Sequence, residues 1–175
     1  ITLDKNLYNS QKFGDLSLTS NYKSHRYNTN ILENFLVNDF NWNSSNLFSL
    51  SGIKNKFLAN IRNINYNVKN FKNTEIGNPD IYKKDTTNEL YGAIGLMSEI
   101  NLEKRHKNSY QFLTPKMLLR YAPGGMRQEL SGGRLTSDSA FSINRLNNNK
   151  NFETGLTGTL GFDYKFKKSD KEFDF

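Results

Sequence analysis

Phe152-Glu153-Thr154-Gly155-Leu156-Thr157-Gly158-Thr159-Leu160-Gly161-Phe162-Asp163-Tyr164-Lys165-Phe166-Lys167 is the stretch that decides the fold. Its even positions carry Phe152, Leu156, Leu160, Phe162, Tyr164 and Phe166. Its odd positions carry Glu153, Gly155, Thr157, Thr159, Gly161, Asp163, Lys165 and Lys167. Successive side chains of a strand point to opposite faces, so this segment has one apolar, aromatic face and one small or polar face. A helix would smear the same pattern around its circumference. The run is long beside the roughly 5–6 residues of an ordinary soluble strand.

Upstream, Leu90, Ile94, Leu96, Ile100 and Leu102 share a face, opposed by Tyr91, Ala93, Gly95, Met97, Glu99, Asn101 and Glu103. In 110–122, Leu113, Pro115, Met117, Leu119 and Tyr121 oppose Tyr110, Phe112, Thr114, Lys116, Leu118 and Arg120. Pro115 has no N–H for a ladder and marks a bulge, an edge or a local weakness. The N-terminal half is less regular, with Leu16 and Leu18 leading to Tyr22, then Leu36, Phe40 and Trp42, then Leu58, Ile64, Tyr66 and Val68 around Asn60 and Arg62. The expected strands lie near 12–23, 33–43, 47–53, 56–69, 88–103, 109–122, 138–146 and 151–167. Segments 104–108 and 147–150 are short polar turns. Segments 70–87 and 123–137 are long, the second carrying Pro123, Gly124, Gly125, Gly132 and Gly133. Along an up-and-down meander the short turns fall at one end and the long loops at the other, the layout of an outer-membrane barrel.

Composition narrows the classes. The 175 residues hold 13% aromatics, too many for a disordered chain of this polarity. No apolar run approaches the roughly 20 residues of a spanning helix. Absent cysteine and only two histidines, His25 and His106, argue against thiolate chemistry and Cys- or His-based metal centres, and no cofactor is expected. The net charge of +7 accompanies 26 asparagines, with Lys and Ile also abundant, a bias that A+T-rich codons produce; no nucleic-acid partner is expected, and another anionic partner stays open. Neither histidine has a readable nucleophile or orienting acid, so no enzyme is expected. The paired glycines of 124–133 lack the Gly-Lys-Ser/Thr of a phosphate loop.

The polar face of 152–167 is small in its middle and charged near its ends, while aromatics stand near both ends of the apolar face. A soluble sandwich shows long charged side chains outside; a membrane barrel shows aromatic girdles. The expected fold is therefore all-β, an antiparallel up-and-down transmembrane β-barrel in the outer membrane. Residues 169–175 read as the start of a further strand, and Ile1 opens without Met or signal peptide. Residues 1–175 are thus expected to be a consecutive slice, of about eight strands, from a larger barrel, since an open barrel would leave unpaired edges in lipid.

From 109 onward the chain resembles a known family. Phe112-Leu113-Thr114-Pro115-Lys116-Met117-Leu118-Leu119-Arg120-Tyr121-Ala122-Pro123 resembles a strand of LptD, the lipopolysaccharide-assembly (organic solvent tolerance) family of Gram-negative outer membranes. Phe141-Ser142-Ile143-Asn144-Arg145-Leu146, followed by Thr154-Gly155-Leu156-Thr157, resembles that family's Phe-Ser-Gly-x-Asp-Arg turn and the Gly-Leu-Thr strand after it. The chain departs from the family in having Asn144 where Asp is usual and Lys116 where Arg is common; residues 1–88 are similar only in style. The resemblance implies a transporter that inserts lipopolysaccharide into the outer leaflet through a polar lumen and a lateral opening. It implies an LptE-like plug lipoprotein, and periplasmic Lpt bridge proteins reached through an N-terminal domain, as partners. Family-motif residues would be Pro115, Tyr121, Pro123, Asn144, Arg145 and Gly155, with Asn144 and Arg145 bracing a turn. Lumen-facing candidates are Glu99, Asn101, Thr114, Lys116, Arg120, Thr157, Thr159 and Asp163. A porin or receptor barrel for small solutes shares every period-two feature, and a soluble β-rich adhesin or solenoid is the third reading.

Overall fold

The structure, a computed structural model, describes residues 1–48, 52–70, 86–127, 135–137, 139–146, 148–168 and 171–174. Ten strands form one antiparallel sheet: β1 (Thr2–Ser10), β2 (Gly14–Arg26), β3 (Leu32–Asn43), β4 (Leu47–Phe48), β5 (Lys54–Lys69), β6 (Thr87–Glu99), β7 (Leu102–His106), β8 (Ser109–Ala122), β9 (Gly155–Lys168) and β10 (Lys171–Asp174). Eight follow one another in the order β1-β2-β3-β5-β6-β8-β9-β10; β4 pairs with β5, and β7 with β8. The chain is an all-β meander curled into a half-barrel, without helix among the described residues.

Period two in the sequence becomes two faces of this wall. Outward on the convex side stand Leu36, Phe40 and Trp42 of β3, Phe57 and Ile61 of β5, Leu90 and Ile94 of β6, Met117, Leu119 and Tyr121 of β8, and Leu156, Leu160 and Phe162 of β9, all exposed. The register aligns Tyr8, Leu16, Trp42, Ala59, Ile94, Tyr121 and Leu156 in one unbroken apolar row across the strands. That row is not the middle of the apolar surface everywhere. On β3 the remaining outward apolar residues, Leu36 and Phe40, lie on its long-loop side. On β9 Leu160, Phe162, Tyr164 and Phe166 all lie on its short-turn side. The apolar belt therefore climbs diagonally across the hydrogen-bond register. Strands tilted against a barrel axis require this stagger if the belt is to be level.

The structure corrects several sequence expectations. Residues 139–146, expected as part of a strand at 138–146, form turns, and 147–150 is not a hairpin turn but belongs to a single connection from β8 to β9. Residues 138 and 147, Gly132 and Gly133, and 71–85 lie outside the described residues. β1 was not expected at all; its pairing with β2 slips between Asn6 and Tyr8, which breaks the alternation. In 47–53 only Leu47–Phe48 is strand, 49–51 lying outside the described residues. The expected strand 88–103 is two strands, broken opposite Pro115. Glu99 pairs with Lys116 and Leu102 with Leu113, and between them the Ile100 N–H donates to the Pro115 carbonyl at 3.3 Å. An antiparallel residue sends its N–H and C=O to the same neighbour, so the missing proline N–H falls on this side and the ladder lapses there. Toward β9 the pairing runs unbroken through Pro115 and Phe162. The expected strand after 168 is present as β10.

Candidate functional site

The inward face is crowded and mixed, with charged and amide side chains set among apolar ones. β3 presents Glu33, Phe35, Val37 and Asp39; β5 presents Leu58, Asn60, Arg62, Ile64 and Tyr66; β8 presents Leu118, Arg120 and Ala122, all buried. What buries them is the β8–β9 connection, which turns back into the hollow of the wall. Its backbone bridges itself where Arg127 and Phe152 exchange N–H···O bonds of 3.0 and 2.9 Å. Contacts from β3, β5, β6, β8 and β9 all reach this one segment. Strands stand about 4.8 Å apart, so five neighbours meet a single chain only if the sheet wraps around it.

Arginine forks hold the segment, largely by its backbone. Arg62 makes a two-point pair with Asp39 (2.7 and 2.8 Å) and sends its third nitrogen to the carbonyls of Asn151 (2.8 Å) and Asn148 (3.3 Å). Arg120 donates to the carbonyls of Ile143 and Glu153, both at 2.7 Å. Arg127 pairs with Glu89 at 2.6 Å and donates to the carbonyl of Lys150. Arg145 grips the Glu153 carboxylate at 2.6 and 3.0 Å and reaches Thr159 at 3.1 Å. Lys150 crosses to Glu33 at 2.8 Å, its ammonium 4.1 Å from the centre of the Phe35 ring. Charge-assisted bonds of this kind are roughly twice as strong as neutral ones, and burial removes the water that would screen them.

Apolar contacts seat the segment between those forks. Phe152, 1% exposed, stacks on Tyr91 at 5.1 Å, with the guanidinium groups of Arg120 and Arg62 at 5.6 and 6.0 Å from its ring centre. Phe141 and Ile143 fill sockets left by two inward glycines. A Cβ on Gly161 would lie 2.9 Å from the Phe141 ring, and one on Gly95 would lie 3.1 Å from Ile143 Cδ1. Gly155, with φ of +98°, turns the chain out of the hollow and into β9, a conformation a β-carbon would strain.

The eight lumen candidates fall on the inward side of the alternation but have different surroundings. Glu99 faces Lys54 at 3.8 Å, Asn101 accepts from the Thr114 hydroxyl at 3.3 Å, and Lys116 pairs with Asp163. These five lie toward the short-turn end of the inward face, Lys116 directly opposite the Gly161 on which Phe141 packs. Arg120 and Thr159 instead hold that segment, and Thr157, directly opposite Arg120, has a buried hydroxyl without a hydrogen-bond partner. Of the family-motif residues, Pro115 and Tyr121 point outward, Pro123 follows β8, and Asn144 closes a turn in which its N–H donates to Ser142 Oγ at 3.1 Å. The residues that sequence reasoning missed are Arg62, Asp39, Arg127, Glu89, Lys150 and Phe152 as partners. For Arg62, Asp39 and Glu89 the signal was charge at inward strand positions, which reads as hydration of a wall until the segment that covers it is known. Arg127, Lys150 and Phe152 lie on the β8–β9 connection, and Phe152, expected on the outward apolar face of a strand, is instead buried in the hollow.

No group of His, Asp and Glu suited to a metal occurs among the described residues. No family model and no curated protein matches the chain.

Proposed function

We propose that this chain is part of an outer-membrane β-barrel that assembles lipopolysaccharide into the outer leaflet. Its convex belt faces lipid, and its polar hollow is the passage for the sugar-phosphate head. The observation that carries the reading is the exposed apolar belt on the outside of the curve, climbing diagonally across the register, while the inside combines an apolar cluster with paired charges. A water-soluble sheet exposes mainly polar side chains on its outer face; here the outer face carries an unbroken exposed apolar row, as a barrel wall against lipid requires. The lipopolysaccharide assignment within that class rests on the resemblance at 109–175 to the LptD family, which also brings an LptE-like plug and the periplasmic Lpt bridge as partners. An amphiphile with a phosphorylated head suits a lumen rich in Arg, Lys, Asn and Thr, which offers many exchangeable bonds and excess positive charge.

The test is depletion of the parent gene in its own cells, followed by fractionation and by surface labelling of lipopolysaccharide. Outer-membrane recovery of the protein together with loss of surface lipopolysaccharide is the expected result. Normal lipopolysaccharide with reduced uptake of small solutes would replace it with the porin reading. Recovery in a soluble fraction without detergent would replace it with the adhesin reading.

A further inference from the structure

Among the three buried arginines, two on the wall and one on the inturned connection, Arg120 stands apart. Arg62 has Asp39 and Arg127 has Glu89; Arg120, 1% exposed, has no carboxylate within ion-pair distance among the described residues. Its Nε and one terminal nitrogen are taken by the carbonyls of Ile143 and Glu153, and its other terminal nitrogen, Nη1, has no hydrogen-bond partner. The nearest acid, Glu153, is held by Arg145 instead. Directly across the strand pair, Thr157 likewise has an unpartnered buried Oγ1. A buried guanidinium with only neutral acceptors and one idle donor is an expensive arrangement, and an anion would relieve it.

We propose that Arg120, with Thr157 beside it, is a phosphate-binding site in the lumen, and that a phosphate occupying it loosens the segment 139–146 from the wall. The planar fork that now holds two carbonyls fits two oxygens of a phosphate, and the ionised oxygens make the stronger bonds. The two bonds from Arg120 hold the connection at Ile143 and Glu153. Exchange of both for phosphate oxygens leaves 139–146 held by the packing of Phe141 and Ile143 in their glycine sockets and by the single Arg145–Thr159 bond. The remaining forks are neutralised by Asp39, Glu89 and Glu153, so Arg120 is where an incoming anion meets uncompensated positive charge. The proposal deepens the reading of the hollow as a passage for a phosphorylated head and rests on it.

The chain has no cysteine, so Ile143→Cys gives the intact parent protein a single reporter here if the remaining sequence is likewise cysteine-free or made so. Its rate of maleimide labelling in detergent micelles measures how often the segment leaves the wall. The probes are inorganic phosphate, a glycolipid bearing a phosphorylated sugar head, and the same lipid after phosphatase treatment, all at constant ionic strength. The expected result is a labelling rate at least tenfold faster with the phosphorylated lipid than with the treated one, and loss of that ratio in Arg120→Gln. An equal response to inorganic phosphate assigns the site to the free anion; a response to the lipid alone assigns it to the head group. Unchanged labelling with both phosphate and phosphorylated lipid, or an undiminished ratio in Arg120→Gln, overturns the proposal. Should Arg120→Gln fail to fold by gel mobility, Arg120→Lys keeps the charge without the fork, and the ratio is expected to fall at least threefold. The assay is made in micelles, so failure of the convex face to enter lipid vesicles would sink the membrane reading while leaving the anion response to be read on its own.

Discussion

Leu160 and Leu156 stand on the same face of the same strand and are almost equally exposed, 79% and 70%. Any account based on exposure gives Leu160→Arg and Leu156→Arg the same small effect, within about 0.5 kcal/mol for a surface site. A lipid belt gives them different ones. From Leu156 to Phe166 the outward residues of β9 are apolar apart from Gly158. Ten steps at about 3.4 Å make about 34 Å along the strand. At a tilt near 40° this projects to about 26 Å, close to the height of an outer-membrane apolar band. Leu160 then lies near the midplane, where arginine costs about 2–4 kcal/mol, and Leu156 near the interface, where it costs about 0–1 kcal/mol. The measurement is urea unfolding of each variant of the parent barrel refolded into phosphatidylcholine vesicles, followed by the shift of the heat-modifiable band. A gap of at least 1 kcal/mol with Leu160 the costlier is expected. Equal effects would refute the assignment of the convex face to lipid, and the reverse order would refute the diagonal belt.

Trp42, the only tryptophan in the chain, lies at the short-turn edge of the belt on β3; its fluorescence in vesicles should be quenched more by bromines near the head group than by bromines deep in the acyl chain, and no quenching at any depth would exclude lipid contact there. Asp39→Asn leaves the Arg62 charge buried without its partner and should cost about 3–5 kcal/mol, partly recovered by adding Arg62→Met, as read from denaturant midpoints. Phe152→Ala removes a ring packed between Tyr91 and two guanidinium groups and should cost about 3–5 kcal/mol; unchanged stability would mean the ring is not seated there. Gly161→Leu overfills the Phe141 socket and should cost about 1–3 kcal/mol while increasing hydrogen exchange of 139–146, whereas the same exchange as the parent would place Phe141 elsewhere.

How much of this was legible beforehand depended on whether a residue's fate was decided by its neighbours in sequence or across the sheet. β9, β6 and β8 were readable because outward and inward residues alternate through their middles, and the interior of each strand supplies its own pattern. The same rule misled at 138–146. Phe141 and Ile143 alternate with Ser142 and Asn144 as they would on a strand, but their partners are Gly161 and Gly95 on the wall rather than a neighbouring ladder. Arg120 was assigned to the inner face from its position; that it grips two carbonyls could not be seen, because carbonyls carry no sequence identity.

What the sequence by itself determined is the alternation, and with it the all-β meander and the outward apolar set of β6, β8 and β9, since strand geometry converts parity into sides; on β5 the apolar run Leu58, Ile64 and Tyr66 turns inward, which parity did not decide. Only the tertiary structure decided the curl of the wall, the break opposite Pro115 and the return of the β8–β9 connection into the hollow. Those depend on register and on contacts between residues as far apart as Glu33 and Lys150, and parity is silent about what meets across such a distance. The diagonal belt needs both: outward apolar residues supplied one strand at a time, and a register that staggers them across the sheet.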